Sequence, residues 1–525
     1  MSLHPSVKQN LSKQLFKIKD LSLILQESHD PEKRLKKALS AFDLILLGIG
    51  AIIGAGIFTV IGTAAAGDLV RPGAGPSIIL SFALTSVACG FAALCYSEFA
   101  TMVPISGSAY TYSYATFGEL VAWIIGWDLM LEYSVANIAV AISWSGYFTE
   151  FIRGFGIHLP PWATIDFRSA FQGFEKASVL LSQGTVFDQL NPALQRAWFA
   201  VHDAPHIFGI PLICNLSAFI IVSFITTLLV IGIKESARFT SVMVAIKLLV
   251  LAFFVAVGFF YVKPENWTPF APNGFAGIKT GAAIVFFAYI GFDAVSTAAE
   301  EAKNPKRDIP IGILGSLVIC TIIYIIVSAV FTGIVPFSIL KETLVTQKAE
   351  ALAFAMKYIH LNWATAIVAA GALVAQTAVL LVMQLGQSRV FFSMSRDGLL
   401  PPVFSKVHPK FKTPYVTTIV TGLTVALIAS LTNIDEMVDL TNIGTLFAFV
   451  LVCFGVIILR VKEPLKHRSF KVPFSPVIPL LGVATCIFLM TGLPAVTWLR
   501  FVIWLILGFV VYFTYSIKHS LLHKK

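Results

Sequence analysis

Twelve long apolar stretches leave this chain one kind of fold. They lie at 41–66, 77–101, 118–150, 211–232, 238–262, 277–299, 309–335, 363–393, 414–432, 438–460, 473–492 and 496–518, here spans 1 to 12. A hydrocarbon core about 30 Å thick takes roughly 20 helical residues to cross. Of the 525 residues 13% are charged, against about 25% in a soluble domain. The mean hydropathy of +0.82 agrees. Backbone groups in lipid must be satisfied within the protein, so the chain reads as an all-α polytopic membrane protein. Barrel strands would be about ten alternating residues each, and these runs are longer and do not alternate. Residues 1–40 read as a basic tail, 41–518 as one twelve-helix domain and 519–525 as a C-terminal tail.

An even number of spans puts both tails on one side of the membrane, and charge chooses the side. Residues 1–40 hold eight Lys/Arg, and further clusters fall at Arg389–Lys412, Arg460–Lys471 and Lys518–Lys525. The positive-inside rule then places both termini in the cytoplasm and the protein in the cytoplasmic (inner) membrane. The net charge of +10 follows this pattern and does not point to nucleic acid. No cleavable signal peptide is read before Ala41. Leu11, Leu15, Ile18, Leu21 and Leu25 suit a basic interfacial helix or a disordered tail. The long outer loop 151–210 is charge-balanced. It is read as partly folded over the outer mouth or, preferably, as an insertion without a transport role. The six cysteines show neither metal spacing nor a disulfide framework. No cofactor is implied, and no obligate protein partner, so a monomer is expected.

Span 1 contains Gly48-Ile49-Gly50-Ala51-Ile52-Ile53-Gly54-Ala55-Gly56-Ile57-Phe58. Each glycine costs a helix about 1 kcal/mol relative to alanine. Such a run suits a helix that breaks at mid-membrane and shows its backbone to something polar, as in secondary transporters. Gly50 and Gly54 also form a small-x-x-x-small packing face, and both readings stand at this point. A dinucleotide-binding loop would need a strand before it. Span 6 carries a second interruption at Tyr289-Ile290-Gly291-Phe292-Asp293. Interruptions five spans apart point to an inverted five-plus-five repeat with a site between them.

Ionisable groups within spans are expensive and need partners. Lys247 lies deep in span 5. It either snorkels to the cytoplasmic surface or is desolvated, able to take up and release a proton or to stand where a sodium ion would bind. Glu132 in span 3 could pair with a cationic substrate, a proton, or a hydroxyl such as Tyr324 in span 7. A purely structural inter-helix bond is the plain alternative. Asp293 is read as a cap for the half-helix after the second break, and Glu98 and Asp128 as structural. The turn Glu300–Asp308 suits a salt-bridge gate or a solvated loop. No constellation for hydrolysis or metal binding is visible, so no enzyme is expected.

Four motifs in order then carry a resemblance: the glycine run, Ile233-Lys234-Glu235-Ser236-Ala237-Arg238, the Phe287–Thr297 run with Glu-Glu-Ala-Lys-Asn-Pro after it, and Arg389-Val390-Phe391-Phe392-Ser393-Met394-Ser395-Arg396-Asp397-Gly398. Together they resemble the amino acid–polyamine–organocation (APC) superfamily, in the form of a bacterial cationic amino acid transporter. The resemblance implies a LeuT-like fold of ten core helices plus two, and amino acid uptake by alternating access. It implies a substrate carboxylate at Gly54, Ala55 and Gly56. The ammonium would sit on the carbonyls of Ile52, Phe287, Ala288 and Ile290. Lys247 would replace sodium in proton coupling, with Glu132 and Tyr324 as side-chain or gating groups. Ala55 stands where relatives often carry threonine. A proton-coupled importer is the reading preferred. The alternatives are a sodium-independent exchanger and, from other classes, a channel or a transceptor or scaffold. Cationic and small neutral substrates both stay open.

Overall fold

The computed structural model describes residues 15–18, 39–68, 70–102, 108–232, 237–344, 350–465 and 468–524. The stretch Ile233–Ser236 and most of the N-terminal tail, with Leu11, Leu21 and Leu25, lie outside the described residues. Each of the twelve stretches forms helix. Span 1 is split into Ala41–Ile52 and Gly56–Ala66, bent by 46°. Spans 2 to 5 are Ile78–Met102, Glu119–Arg153, Leu216–Ile231 and Ala237–Phe259. Span 6 runs as helix over Gly274–Val285, tightens at Phe286–Tyr289, and resumes only at Ala294–Thr297. Spans 7 to 12 begin at Pro305, Asn362, Tyr415, Ile434, Val477 and Ala495. Leu249, Leu427, Leu499 and Ile506 project outward and exposed, as expected where lipid is the solvent.

The long spans 3 and 8 form the central pair, each of 35 residues. At 1.5 Å per residue that is about 50 Å, so both project beyond the hydrocarbon. They run antiparallel. Trp144 Nε1 donates to Thr377 Oγ1 at 3.0 Å, and Gln387 Nε2 donates to Ser134 Oγ. Span 1 starts with a capping box: the backbone N–H of Ser40 donates to Asp43 Oδ2 at 2.8 Å, and that of Asp43 to Ser40 Oγ at 3.4 Å. Such reciprocal bonds satisfy two of the donors that a helix start leaves free.

The turn after span 6 is anchored through its backbone, with Lys303, Asn304, Lys306 and Arg307 exposed. Its backbone pairs with the residue before span 1: Leu39 N–H donates to Glu301 O at 2.9 Å, and Lys303 N–H to Leu39 O at 2.8 Å. Glu98 is structural, as expected. It binds Arg460 at 2.5 Å and accepts from the Val472 N–H at 2.7 Å, which joins span 2 to span 10 and to the loop after it. The C-terminal segment folds onto the bundle. Buried Glu119 accepts from Tyr114 at 2.8 Å, Tyr512 at 3.2 Å and Ser520.

The loop 151–210 holds two helices, Phe167–Ser182 and Pro192–His202, packed on each other around Ala170 and Ala200. Arg168 reaches Glu436 at the start of span 10, at 2.5 Å. Nearby, Arg71 Nη1 binds Asp439 at 2.8 Å and its Nε binds Asp68 at 2.7 Å. These two latches differ in burial. The Arg71 and Asp439 side chains are 9% and 7% exposed, whereas Arg168 is 54% exposed. Breaking a buried pair costs about 3–5 kcal/mol, and an exposed one about 0–1 kcal/mol. Arg71→Ala is therefore expected to lower the thermal unfolding midpoint of purified protein by several degrees. Arg168→Ala should leave it nearly unchanged, and equal shifts would show that burial does not separate the two latches.

Candidate substrate site

The glycine run breaks the first span where the sequence reading expects it. After Ile52 the backbone turns extended at Ile53, with φ −75° and ψ 104°, and helical geometry resumes at Ala55 and Gly56. Among the described residues, no backbone carbonyl outside this turn accepts from the N–H of Gly54, Ala55 or Gly56. A resuming helix presents such donors, with the positive end of its dipole, to an anion. Span 6 breaks beside it. Ile290 is extended, and Gly291 has φ +118°, a conformation that L side chains rarely adopt.

The two breaks touch. A Cβ on Gly56 would lie 2.3 Å from Ala288 Cα, and one on Gly291 would lie 2.8 Å from Ala51 O. Gly54 packs on Val379 of span 8, and Gly48 on Ser316 of span 7. Gly54 both packs closely and sits at the break with Gly56, and Gly48, outside the expected Gly50–Gly54 face, also allows a close approach. A small pocket lies between span 2, the segment leading into span 3, and span 10, lined by Tyr96, Phe99, Ala109, Ser113, Phe117 and Val452. Tyr96 meets Phe292 edge-on at 5.9 Å.

Lys247 does not snorkel. It is fully buried, and its Nζ donates to Gly50 O at 2.6 Å. In an unbroken helix that carbonyl would accept from the N–H of Gly54. The break removes this donor, and the ammonium takes its place. Tyr324 also belongs to the breaks. Its hydroxyl lies 3.1 Å from Ile52 O and 2.8 Å from Ala288 O. The pairing with Glu132 suggested by the sequence is thus replaced: one O–H bridges two carbonyls named for the ammonium, and it can donate to only one at a time.

Glu132 is buried within electrostatic reach of Asp293 and Asp128 and close to Thr445. Asp128 is fully buried, and neither of its oxygens has a hydrogen-bond partner among the described residues. Asp293 precedes the short helix after the second break, but its side chain makes no capping hydrogen bond there. The structure thus gathers Ile52, Gly54, Ala55, Gly56, Phe287, Ala288, Ile290, Tyr324 and Lys247 at the two breaks, with the carboxylate cluster adjoining the second break through Asp293. The sequence reading missed Val379 and Asn442. Val379 is one apolar residue among many. Asn442 Nδ2 donates to Ala283 O at 2.8 Å and Ile284 O at 3.3 Å, and its one signal was an amide inside an apolar run.

Residues 39–518 match the family model described as amino acid permease. The chain is 49% identical over 493 residues to the branched-chain amino acid permease BcaP of Bacillus subtilis, covering 94% of this chain and 96% of that one. It is 44% identical over 510 residues to the methylthioribose transporter of the same organism, covering 97% and 99%. It is 30% identical to human cationic amino acid transporter 4, covering 94% and 89%. With two broken helices side by side in a twelve-helix bundle of the LeuT-like type, this chain belongs to the amino acid permease family of the APC superfamily and is a multi-pass membrane transporter, not an enzyme.

Proposed function

We propose that the protein is a proton-coupled importer of neutral branched-chain amino acids in the bacterial cytoplasmic membrane, with both termini inside, working by alternating access. One observation carries the reading: two helices break in contact at mid-depth, and a buried lysine holds the first break through Gly50 O. The substrate carboxylate is held by the N–H groups of Gly54, Ala55 and Gly56. Its ammonium takes the carbonyls of Ile52, Phe287, Ala288 and Ile290, displacing the Tyr324 hydroxyl from Ile52 and Ala288. Side chains at the breaks are apolar, namely Ile52, Phe287 and Ile290, with Val379 against Gly54. Such a lining suits an aliphatic substrate, in keeping with the name of the Bacillus subtilis permease.

Lys247 is the group through which protonation reaches the site. When charged it donates to Gly50 O and holds the first half of span 1. When neutral it donates more weakly, and the break is released. Glu132, beside Asp293 and Asp128, is a poor neighbour for an aliphatic side chain and is assigned to gating. A proton that enters with the substrate gains about 2.3 kcal/mol per 100 mV of membrane potential. That supports roughly fifty-fold accumulation, at about tenfold per 1.4 kcal/mol.

Uptake of labelled leucine into proteoliposomes with an imposed pH gradient tests the reading. Acid outside should drive accumulation above equilibrium, and unlabelled isoleucine and valine should compete while arginine does not. Uptake that ignores the gradient but needs amino acid inside would identify an exchanger. Currents without saturation would identify a channel.

A further inference from the structure

Each break needs something to hold the carbonyls at the end of its first half-helix. The last turn of a helix leaves up to four of these without intrahelical partners. In span 1 that role falls to Lys247, which donates to Gly50 O across from span 5. In span 6 the α-helix ends at Val285 and tightens into a 3-10 turn as far as Tyr289, and Asn442 on span 10 donates to the carbonyls of Ala283 and Ile284 at that junction, where Ile284 O also accepts from the Phe286 N–H. Both acceptors are carbonyl oxygens, so the amide must face them with its NH₂ end. Its Oδ1 has no partner among the described residues. Asn442 is fully buried. Span 5 closes the first five-span unit and span 10 the second, so Lys247 and Asn442 stand on corresponding spans of the inverted repeat.

We propose that Asn442 is the positioning residue of the span 6 break, the uncharged counterpart of Lys247. The inference rests on the breaks being the substrate site. The two holders differ in one respect: an ammonium can lose a proton and an amide cannot. The holder of the span 1 break can therefore respond to protonation, while the holder of the span 6 break cannot. The two halves of a symmetric fold thus receive holders of unequal chemistry.

The charged groups around Asn442 are few. On span 10 itself, Asp439 lies one turn away and is bonded to Arg71. From span 3, Asp128 Oδ1 lies 3.0 Å from where a Cβ on Gly444 would sit, and Glu132 lies near Thr445. From span 6 comes Asp293, within electrostatic reach of Glu132.

Asn442→Leu and Asn442→Asp keep the size of asparagine and separate donor from shape. A leucine cannot donate, whereas an aspartic acid donates one O–H when protonated. Labelled leucine uptake by proteoliposomes is measured between about pH 5.5 and 8, across the range where such a carboxyl can change state. The leucine variant is expected to fall at least about tenfold at every pH, because it cannot donate to the two carbonyls and so loosens the start of the break. The aspartate variant should exceed it, by most at the acid end. The role of Asn442 is overturned if Asn442→Leu stays within about twofold of wild type, or if the two variants are equally impaired at every pH. Both are assayed as monodisperse protein, and Asn442→Ala replaces the leucine variant should that one not fold. Wild type runs alongside: its own failure to take up leucine would count against the substrate reading, whereas an unimpaired leucine variant beside an active wild type counts against Asn442 alone.

Discussion

Gly56→Val is expected to abolish uptake while the protein still inserts and purifies as a monodisperse species. The first atom of any side chain there would sit 2.3 Å from Ala288 Cα and 2.9 Å from its backbone nitrogen. Neither neighbour is the end of a flexible side chain, so the two breaks must separate. Overpacking of this kind costs about 1–3 kcal/mol, and the displaced N–H groups are those assigned to the carboxylate. A loss of at least about tenfold follows at 1.4 kcal/mol per decade. Gly90→Ala is the control, because a Cβ there meets nothing within 4 Å. Equal losses at both positions, measured as initial rates of labelled leucine uptake, would remove the contact between the breaks from the mechanism.

The second large effect is expected at Lys247. Lys247→Met keeps a long apolar side chain in the same space but leaves Gly50 O without its donor. An unpaired buried acceptor costs about 1–3 kcal/mol. Uptake should fall about tenfold or more, and the dependence on the gradient should go with it. Wild-type uptake should fall as the outside is made alkaline, because fewer protons are available to enter with the substrate. The methionine variant should show the same low rate at each pH. A variant that keeps the wild-type slope with pH at a lower rate would place proton coupling elsewhere, with the Glu132, Asp128 and Asp293 cluster as the next place to look.

Much of this was legible before any coordinates. Twelve apolar runs became helices within a few residues of their expected ends, because span length is set by bilayer thickness and not by local propensity. The glycine run located the first break, since four glycines in nine residues weaken a helix wherever they fall. The interruption at Gly291 located the second. Partners were not legible. Tyr324 reads from sequence as a hydroxyl in reach of Glu132, but the breaks of spans 1 and 6 turn the carbonyls of Ile52 and Ala288 toward it instead. Lys247 was identified as buried or snorkelling, yet its acceptor is an orphaned carbonyl that exists only because another helix is broken. The outer loop reads as a charge-balanced insertion, while its link to Glu436 depends on Arg168 facing span 10. In each case the missing information is which way a side chain points once helices cross, and periodicity within one helix does not carry that.

The most direct measurement is an experimental structure of the protein with leucine bound. The carboxylate should lie about 2.7–3.1 Å from the N–H groups of Ala55 and Gly56, with the ammonium against the carbonyls of Ile52 and Ala288 and the Tyr324 hydroxyl moved aside. Leucine resting elsewhere, with the two breaks still closed on each other and Tyr324 still between their carbonyls, would contradict the central claim that unwound backbone holds the zwitterion.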